Sequence, residues 1–454
     1  MNLIRWEINK SHLIFFMKGG EDMFRTMKYH YKYKNDYEKR LLMFLFHISK
    51  NLYNVALYTL RQLYFNGKNI CTYFELNKIL NNNENFHILN TYASICTIRQ
   101  AHNSMRLFCN KHNKLPKYLP KKDVYAIYTD QVRPIIYKNR RYIKLPLSNL
   151  MRTNKLFKVE FKDPLIKEFI NEIKINKIEN IYFPIPKIIK DNQIKQVRIV
   201  PKYKGEYIEV EFTYLKDKKE VIDCNNINTL GIDVGINNLM TIVSTTNNSY
   251  IIDGKRLKSI NRFYNKQKAY YQSKLINNKY SKRLRRLDIK NKNRVDDYIN
   301  KAINKVIAIA KKEKVNTIVI GYNKGLKQKG IKNEILTNKE KAKINQSFVS
   351  IPLSRMINKI ENKCEEHNIN CIIINESYTS LSSFYDNDKV EKQETYSGKR
   401  IKRGLYLTKN KIEVNSDVNA SLNILRKSKP NDDEVIHYLR DRGLTIPKRL
   451  QVIL

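Results

Sequence analysis

TLGIDVGINNLMTIVSTTNNSYIIDG, residues 229–254, decides how the rest of the chain is read. It splits into three short apolar runs, TLGIDVG, LMTIVST and SYIIDG, parted by turns rich in Gly and Asn. Their length, β-branched content and close spacing predict three successive strands. The first run carries an acid, Asp233, between Gly231 and Gly235. A carboxylate within an apolar strand is costly to bury unless it is paired or bound to a cation. Flanking glycines let another backbone, or a phosphate, come close. A turn at the strand end would also accommodate an Asp.

Downstream, SINRFYNKQKAYYQSKL and SKRLRRLDIKNKNRVDD form a long, very basic helical region. An amphipathic helix follows, with Val295, Ile299, Ala302, Ile303, Val306 and Ala310 on one face. Then come the strand TIVIGY, a loop, a helix after Pro352, the strand CIIINES, an irregular segment and the helix SDVNASLNILRK. Three strands, helix, strand, helix, strand and a late helix is the element order of an RNase H-like fold.

Two further acids sit at telling places. Glu376 ends the strand CIIINES, although strand ends also carry acids into solvent. Asp417 opens the last helix, where it suits a cap and the helix dipole. Ser416 could serve as that cap and leave Asp417 free. Taken together, Asp233, Glu376 and Asp417 are the kind of set a two-metal nuclease needs, with carboxylates converging on two Mg²⁺ ions. Asp253, Asp386 and Asp388 read as turn residues instead.

Upstream, residues 36–112 read as an all-helical module; Leu42, Leu45, Phe46, Leu52, Val55, Ala56, Leu60 and Leu63 recur at helical spacing before Gly67. Residues 113–226 read as β-rich and barrel-like, from DVYAIYTD, RRYIKLP, LFKVEF, QVRIVPK and EYIEVEFTYL, with one short helix near Pro164–Ile173. The strand RTMKYHYKYK, within residues 23–35, is expected to join that module, which makes the helices an insertion.

The chain has 454 residues, with 86 Lys+Arg against 43 Asp+Glu and a formal net charge of +43. Hydrophobic residues make up 42%, so the chain is globular, and a globular chain this basic holds a polyanion, nucleic acid by default. None of the six cysteines forms a CxxC pair, which excludes a zinc ribbon and a disulfide framework by spacing and suits a reduced, cytoplasmic protein. No apolar run reaches membrane-spanning length.

At GIDVGINNLMT, IVIGYNKG, NESYTS, GKRIKRGL and NSDVNASLNIL the chain resembles the OrfB/TnpB proteins of bacterial insertion sequences, which are related to the type V CRISPR effectors. The resemblance runs from about Met23 to the C-terminus, and the motifs are specific as an ordered set. It implies an α+β multidomain architecture. A RuvC-like nuclease domain would occupy residues 227–376 and 413–428, with a wedge domain at 23–35 and 113–226, a recognition lobe at 36–112 and a C-terminal tail at 429–454. It also implies a guide RNA from the transposon end, a double-stranded DNA target beside a short adjacent motif, and a functional link to a separate transposase. Tyr53 and Asn54 fall in a segment that relatives place close to that motif duplex.

The chain departs from its relatives twice. Many carry the second acid on the strand that here reads TIVIGYN, where Gly321 stands; some carry it on the next strand, where Glu376 stands. Many also carry a zinc ribbon between the second and third acids, whereas residues 377–412 contain neither Cys nor His. That segment is expected to be a zinc-free insertion that binds target nucleic acid, with Lys399, Arg400, Lys402 and Arg403 on backbone phosphates. The expected activity is Mg²⁺-dependent, RNA-guided DNA cleavage. The alternative is a nuclease-dead, RNA-guided DNA-binding repressor, for which Gly321 argues. A strand-transferring transposase lacks support, because no Tyr or Ser nucleophile constellation is present.

Lys18-Gly19-Gly20 before Met23 can be encoded as a ribosome-binding sequence, so residues 1–22 read as a mis-called extension. N-terminal sequencing of natively expressed protein is expected to begin at Met23; a product beginning at Met1 would refute this.

Overall fold

In the computed structural model, β1 (Met23–Tyr31) leads into α1 (Asp36–Phe65), α2 (Tyr73–Leu80), α3 (Glu84–Ile88) and α4 (Thr91–Lys111). The described residues are 23–111, 114–137, 139–145, 147–153, 155–161, 163–173, 180–190, 193–216, 228–275, 280–323, 351–402, 404–428, 439 and 446–452. Residues 1–22 and Arg403 therefore lie outside them. The chain divides into two units, Met1–Asp217 and Lys218–Leu454.

Within the first unit, Asn35 caps α1 by accepting from the Glu38 N–H, and the helix buries Leu41, Leu42, Leu45, Leu52, Ala56 and Leu60 completely or nearly so. After α4 come β2 (Ile127–Thr129), β3 (Pro134–Tyr137), β4 (Arg140–Lys144), α5 (Asn149–Arg152), α6 (Pro164–Ile173), β5 (Tyr182–Pro184), β6 (Ile194–Lys202) and β7 (Tyr207–Lys216). They pair as two sheets, β1-β7-β6-β2 and β3-β4-β5. β1 runs antiparallel to β7 from Met23↔Lys216 to Tyr31↔Ile208.

The segment LFKVEF does not form the expected strand; Lys155–Lys158 make a 3₁₀ turn. Leu156 and Phe161 are both buried while Val159 is 42% exposed. Residues five apart point to opposite faces of a strand, so a turn is what buries both.

The second unit opens with β8 (Thr229–Val234), β9 (Asn238–Ser244) and β10 (Asn248–Asp253) as an antiparallel meander. Next are α7 (Lys255–Ser273), α8 (Lys282–Lys312), β11 (Thr317–Gly321), α9 (Leu353–Glu366) and β12 (Asn370–Ile374). The second basic run and the amphipathic helix after it are one continuous helix, α8, because no Gly or Pro interrupts them. The short strands β13 (Lys399–Lys402), β14 (Leu405–Leu407) and β15 (Glu413–Asn415) form their own antiparallel sheet. The chain then enters α10 (Ser416–Ser428) and, near its end, β16 (Lys448–Leu450).

The main sheet has the order β12-β11-β8-β9-β10-β16. β11 is parallel to both β8 and β12, and β16 is parallel to β10. Segment 429–454, expected as a tail, thus contributes an edge strand, with Val452 buried beyond it.

Strand alternation divides the sheet into two faces. Leu230, Ile232, Ile318 and Ile320 share a core with the apolar stripe of α8 and with Met356, Ile357 and Ile360 of α9. α10 covers the opposite face, in contact with β8, β9 and β11. There the Ser421 hydroxyl donates to the Thr241 carbonyl at 3.0 Å. A β-carbon on Gly231 would fall 2.7 Å from the Ser421 carbonyl oxygen and 2.6 Å from Leu425. The absent side chain is what lets the helix backbone lie on the strand.

Candidate acidic site

Asp233 lies one step from the end of β8, two residues after Gly231, and therefore points to the face that α10 covers. In register it stands beside Gly321 on β11 and Thr241 on β9. Asp233 is half-buried, and its carboxyl is pushed up to about 8. Burial is the main cause, followed by the Asp417 and Glu376 carboxylates; the Val234 N–H and the Arg400 guanidinium oppose the rise. Of the three acids expected from the sequence, Glu376 and Asp417 thus both lie within electrostatic reach of Asp233.

Glu376 is placed two residues beyond β12. Burial raises its carboxyl, and a hydrogen bond from the Asn323 backbone N–H partly offsets this. A β-carbon on Gly321 would fall 3.3 Å from the Glu376 β-carbon and 2.4 Å from Ile424 Cδ1. Glu376 therefore begins next to the point from which a side chain on residue 321 would begin. Ile424 of α10 fills the remaining space.

Asp417 stands in the first turn of α10 but does not cap it. The Asn415 side chain accepts from the Asp417 and Val418 N–H groups at 3.0 and 3.2 Å, so the cap is neither Asp417 nor Ser416. The Asn238 side-chain amide donates to Asp417 Oδ2 at 2.7 Å and holds the carboxylate. Sequence reasoning missed both amides. Asn415 could have been found as an Asn directly before a helix; Asn238 carries no such signal, because its partner is distant in sequence.

Among the described residues, no three His, Cys, Asp or Glu side chains are gathered tightly enough to hold a metal ion as they stand. The donor chemistry nevertheless fits Mg²⁺. The groups are carboxylate oxygens, and the mutual repulsion that raises Asp233 is what a divalent cation relieves.

Of the expected phosphate-binding residues, Lys399, Arg400 and Lys402 are exposed along β13. Tyr53 is buried, its ring 4.6 Å from that of Tyr125. Asn54 engages Leu119 through both ends of its amide, each at 2.9 Å. Both residues thus make contacts within the helical and β-rich unit.

The insertion is organised by oxygens. Asp388, buried, accepts from the Ser383 and Ser397 N–H groups at 2.8 and 3.1 Å; Asp386 accepts from the Ser383 hydroxyl and the Lys409 N–H at 2.6 and 2.9 Å. These acids therefore tie distant parts of the segment together, beyond the local turns expected of them. Asn419 and Asn423 of α10 donate to the Ser382 carbonyl at 2.9 and 2.7 Å. Asp253 accepts from the Lys255 N–H at 3.1 Å, as a turn residue does.

Residues 215–327 match the family model OrfB_IS605, described as a probable transposase, and residues 354–424 match that of the Cas12f1-like TNB domain. The two matches support a relationship to the TnpB/type V effector-like family. The Cas12f1 chain of a cryo-EM complex with sgRNA and target DNA has the same mixed α+β fold. It aligns at 14% identity over 85% of this chain and 82% of that one, with a TM-score of 0.55. A CRISPR-Cas12f ternary complex aligns at 14% identity over 85% of this chain and 80% of that one, with a TM-score of 0.33. No curated protein matches the chain. No described helix is long and apolar enough to cross a membrane.

Two outcomes follow from the site geometry. Asp233 has a folded pKa of about 8 against an ordinary 3.8, so the folded protein binds the extra proton. Its contribution to stability is fully present below 3.8 and is lost as pH rises through 8. Asp233→Asn is expected to melt above the parent in metal-free buffer near pH ~9, with the gap vanishing near pH ~4; a pH-independent gap in calorimetry would contradict this. Gly321→Glu is expected to cost about 1–3 kcal/mol in denaturant unfolding, because Ile424 occupies the space the new side chain needs.

Proposed function

We propose that the protein is an RNA-guided DNA endonuclease whose second unit is a RuvC-type, RNase H-like nuclease. The observation that carries this reading is that the Asp417 and Glu376 carboxylates both act on buried Asp233, beside the glycine-bearing face of the sheet. The order β10-β9-β8-β11-β12, antiparallel then parallel, suits that fold. The net charge of +43 suits a guide RNA and a double-stranded DNA target held together. In this reading the guide comes from the transposon end, the target lies beside a short adjacent motif, and a separate transposase moves the element.

Asp233, Glu376 and Asp417 would hold two Mg²⁺ ions. Such ions, when bound, activate the attacking water and stabilise the leaving oxygen of the phosphodiester. The protein's own groups set the stage. Asn238 fixes the orientation of Asp417, and the Asn323 N–H does the same for Glu376. Arg400, whose charge reaches Asp233, would draw in a target phosphate. Lys399, Lys402 and Arg403 would continue that contact along the insertion, and the β-rich module with its inserted helices would grip the RNA.

The second reading, a nuclease-dead RNA-guided repressor, is favoured by Gly321 and by the absence of a tight metal cluster among the described residues. Cleavage of a guide-matched duplex separates the two. Asp233→Ala, Glu376→Ala and Asp417→Ala are each expected to abolish Mg²⁺-dependent cutting while RNA binding persists. Asn238→Ala is expected to slow cutting about 10–100-fold, as loss of a group orienting a metal ligand does. Full cutting by Glu376→Ala would remove that residue from the site, and no cutting by the parent would favour the repressor.

A further inference from the structure

Glu376 stands outside the strand ladder. β12 is an edge strand of the main sheet, and it ends at Ile374, whose carbonyl accepts from the Tyr322 N–H at 2.9 Å. A side chain on β11 would be placed by pairing with β8 on one side and β12 on the other. Glu376, in the turn beyond β12, has to be placed by other contacts.

That turn is closed tightly. The Thr379 N–H and hydroxyl both donate to the Glu376 carbonyl, at 3.2 and 2.8 Å. The Asn375 side-chain oxygen accepts from the Ser377 N–H and hydroxyl, at 2.9 and 2.6 Å. Between them Tyr378 has a φ of 67°. Turns ordinarily leave positive φ to Gly or Asn. A bulky residue holds it only where the surroundings over-determine the backbone.

Those surroundings include α10. Lys427, in its last turn, donates to the Asn375 carbonyl at 2.9 Å and to the Ser377 carbonyl at 3.3 Å. These are the carbonyls on either side of Glu376. One helical turn earlier, on the same face, Asn423 donates to the Thr379 carbonyl at 2.9 Å. A lysine near a helix C-terminus suits the helix dipole wherever its side chain lies. Here the ammonium is committed to the backbone of another segment, which the dipole does not require.

We infer that Lys427 is a positioning residue for Glu376, clamping the turn on both sides of the acid and so fixing where its carboxylate stands. α10 then sets two acids, Asp417 from its first turn and Glu376 from its last. Both Lys427 contacts go to carbonyl oxygens, so the clamp does not compete with a cation for the carboxylate. The inference rests on the nuclease reading in that Glu376 is taken there as a metal ligand.

The test titrates the full-length protein with Mn²⁺, which takes the same oxygen ligands as Mg²⁺ and is read by paramagnetic resonance. Lys427→Met removes the donors but keeps the aliphatic stem. It also removes a positive charge, which by itself favours a bound cation. Weaker binding therefore reports lost positioning and not lost charge. Mn²⁺ affinity is expected to fall about 10-fold, the low end for groups that orient a metal ligand. Lys427→Gln is expected to weaken it too, and Lys427→Arg to retain most of it, because a guanidinium can still donate to both carbonyls. In the Glu376→Gln background Lys427→Met is expected to add no further loss. With guide RNA, matched duplex and Mg²⁺, Lys427→Met is expected to cut about 10-fold more slowly at saturating target, with duplex binding in EDTA unchanged. Unchanged or tighter Mn²⁺ binding by Lys427→Met, or an equal loss in both backgrounds, would overturn the clamp and leave the nuclease reading standing. A parent that does not cut, and whose Mn²⁺ uptake Glu376→Gln leaves unaltered, would overturn both. Melting curves check folding, and Lys427→Gln carries the comparison if Lys427→Met does not fold.

Discussion

The close approach of α10 to the main sheet is the contact on which the candidate site depends. Gly231 and Gly321 leave room for Ser421, Ile424 and Leu425 directly against the strands. With α10 seated there, its first turn carries Asp417 toward the end of β8, where Asp233 stands. Side chains at the two glycines would lift the helix and part the acids. Interiors are close-packed, so a displacement of this kind is not absorbed locally.

Gathering acids this way has an electrostatic consequence. Asp233 is raised first by burial and then by its two acidic neighbours, so the site favours a proton or a cation. The hydrogen bonds to Asp417, from Asn238 and Ser416, and the one to Glu376 come from neutral donors, so they orient the carboxylates without bringing an opposite charge. Arg400 supplies positive charge from β13, a strand of the insertion that also presents Lys399 and Lys402 to solvent. The chemistry of the insertion and that of the acids therefore meet at one place.

The insertion shows how a segment without Cys or His can still be ordered. Asp386 and Asp388 accept backbone N–H groups from residues far apart in the segment, and Asn419, Asn423 and Arg426 reach into it from α10. A buried carboxylate that accepts several N–H bonds resembles a metal in one respect, since it fastens several chain segments at one centre. The residues that support the helix on the sheet and those that order the insertion thus share a single helix.

Much of the second unit was legible in the chain itself. The meander from Thr229 to Asp253, the amphipathic stripe of α8 and the late helix at Ser416 follow from periodicity and turn residues, which are local properties. The acids could be singled out because Asp233 interrupts an apolar run, Glu376 ends one and Asp417 opens the late helix. Local pattern misread LFKVEF, because burial of Leu156 together with Phe161 depends on what packs around them. It also treated residues 429–454 as a tail, because three residues of edge strand in β16 have no signature until β10 is beside them. The nearness of Glu376 to Gly321 and the hold of Asn238 on Asp417 were decided only by the tertiary structure. Each is a relation between residues distant in sequence, and strand register and helix packing, which no local pattern encodes, set such relations.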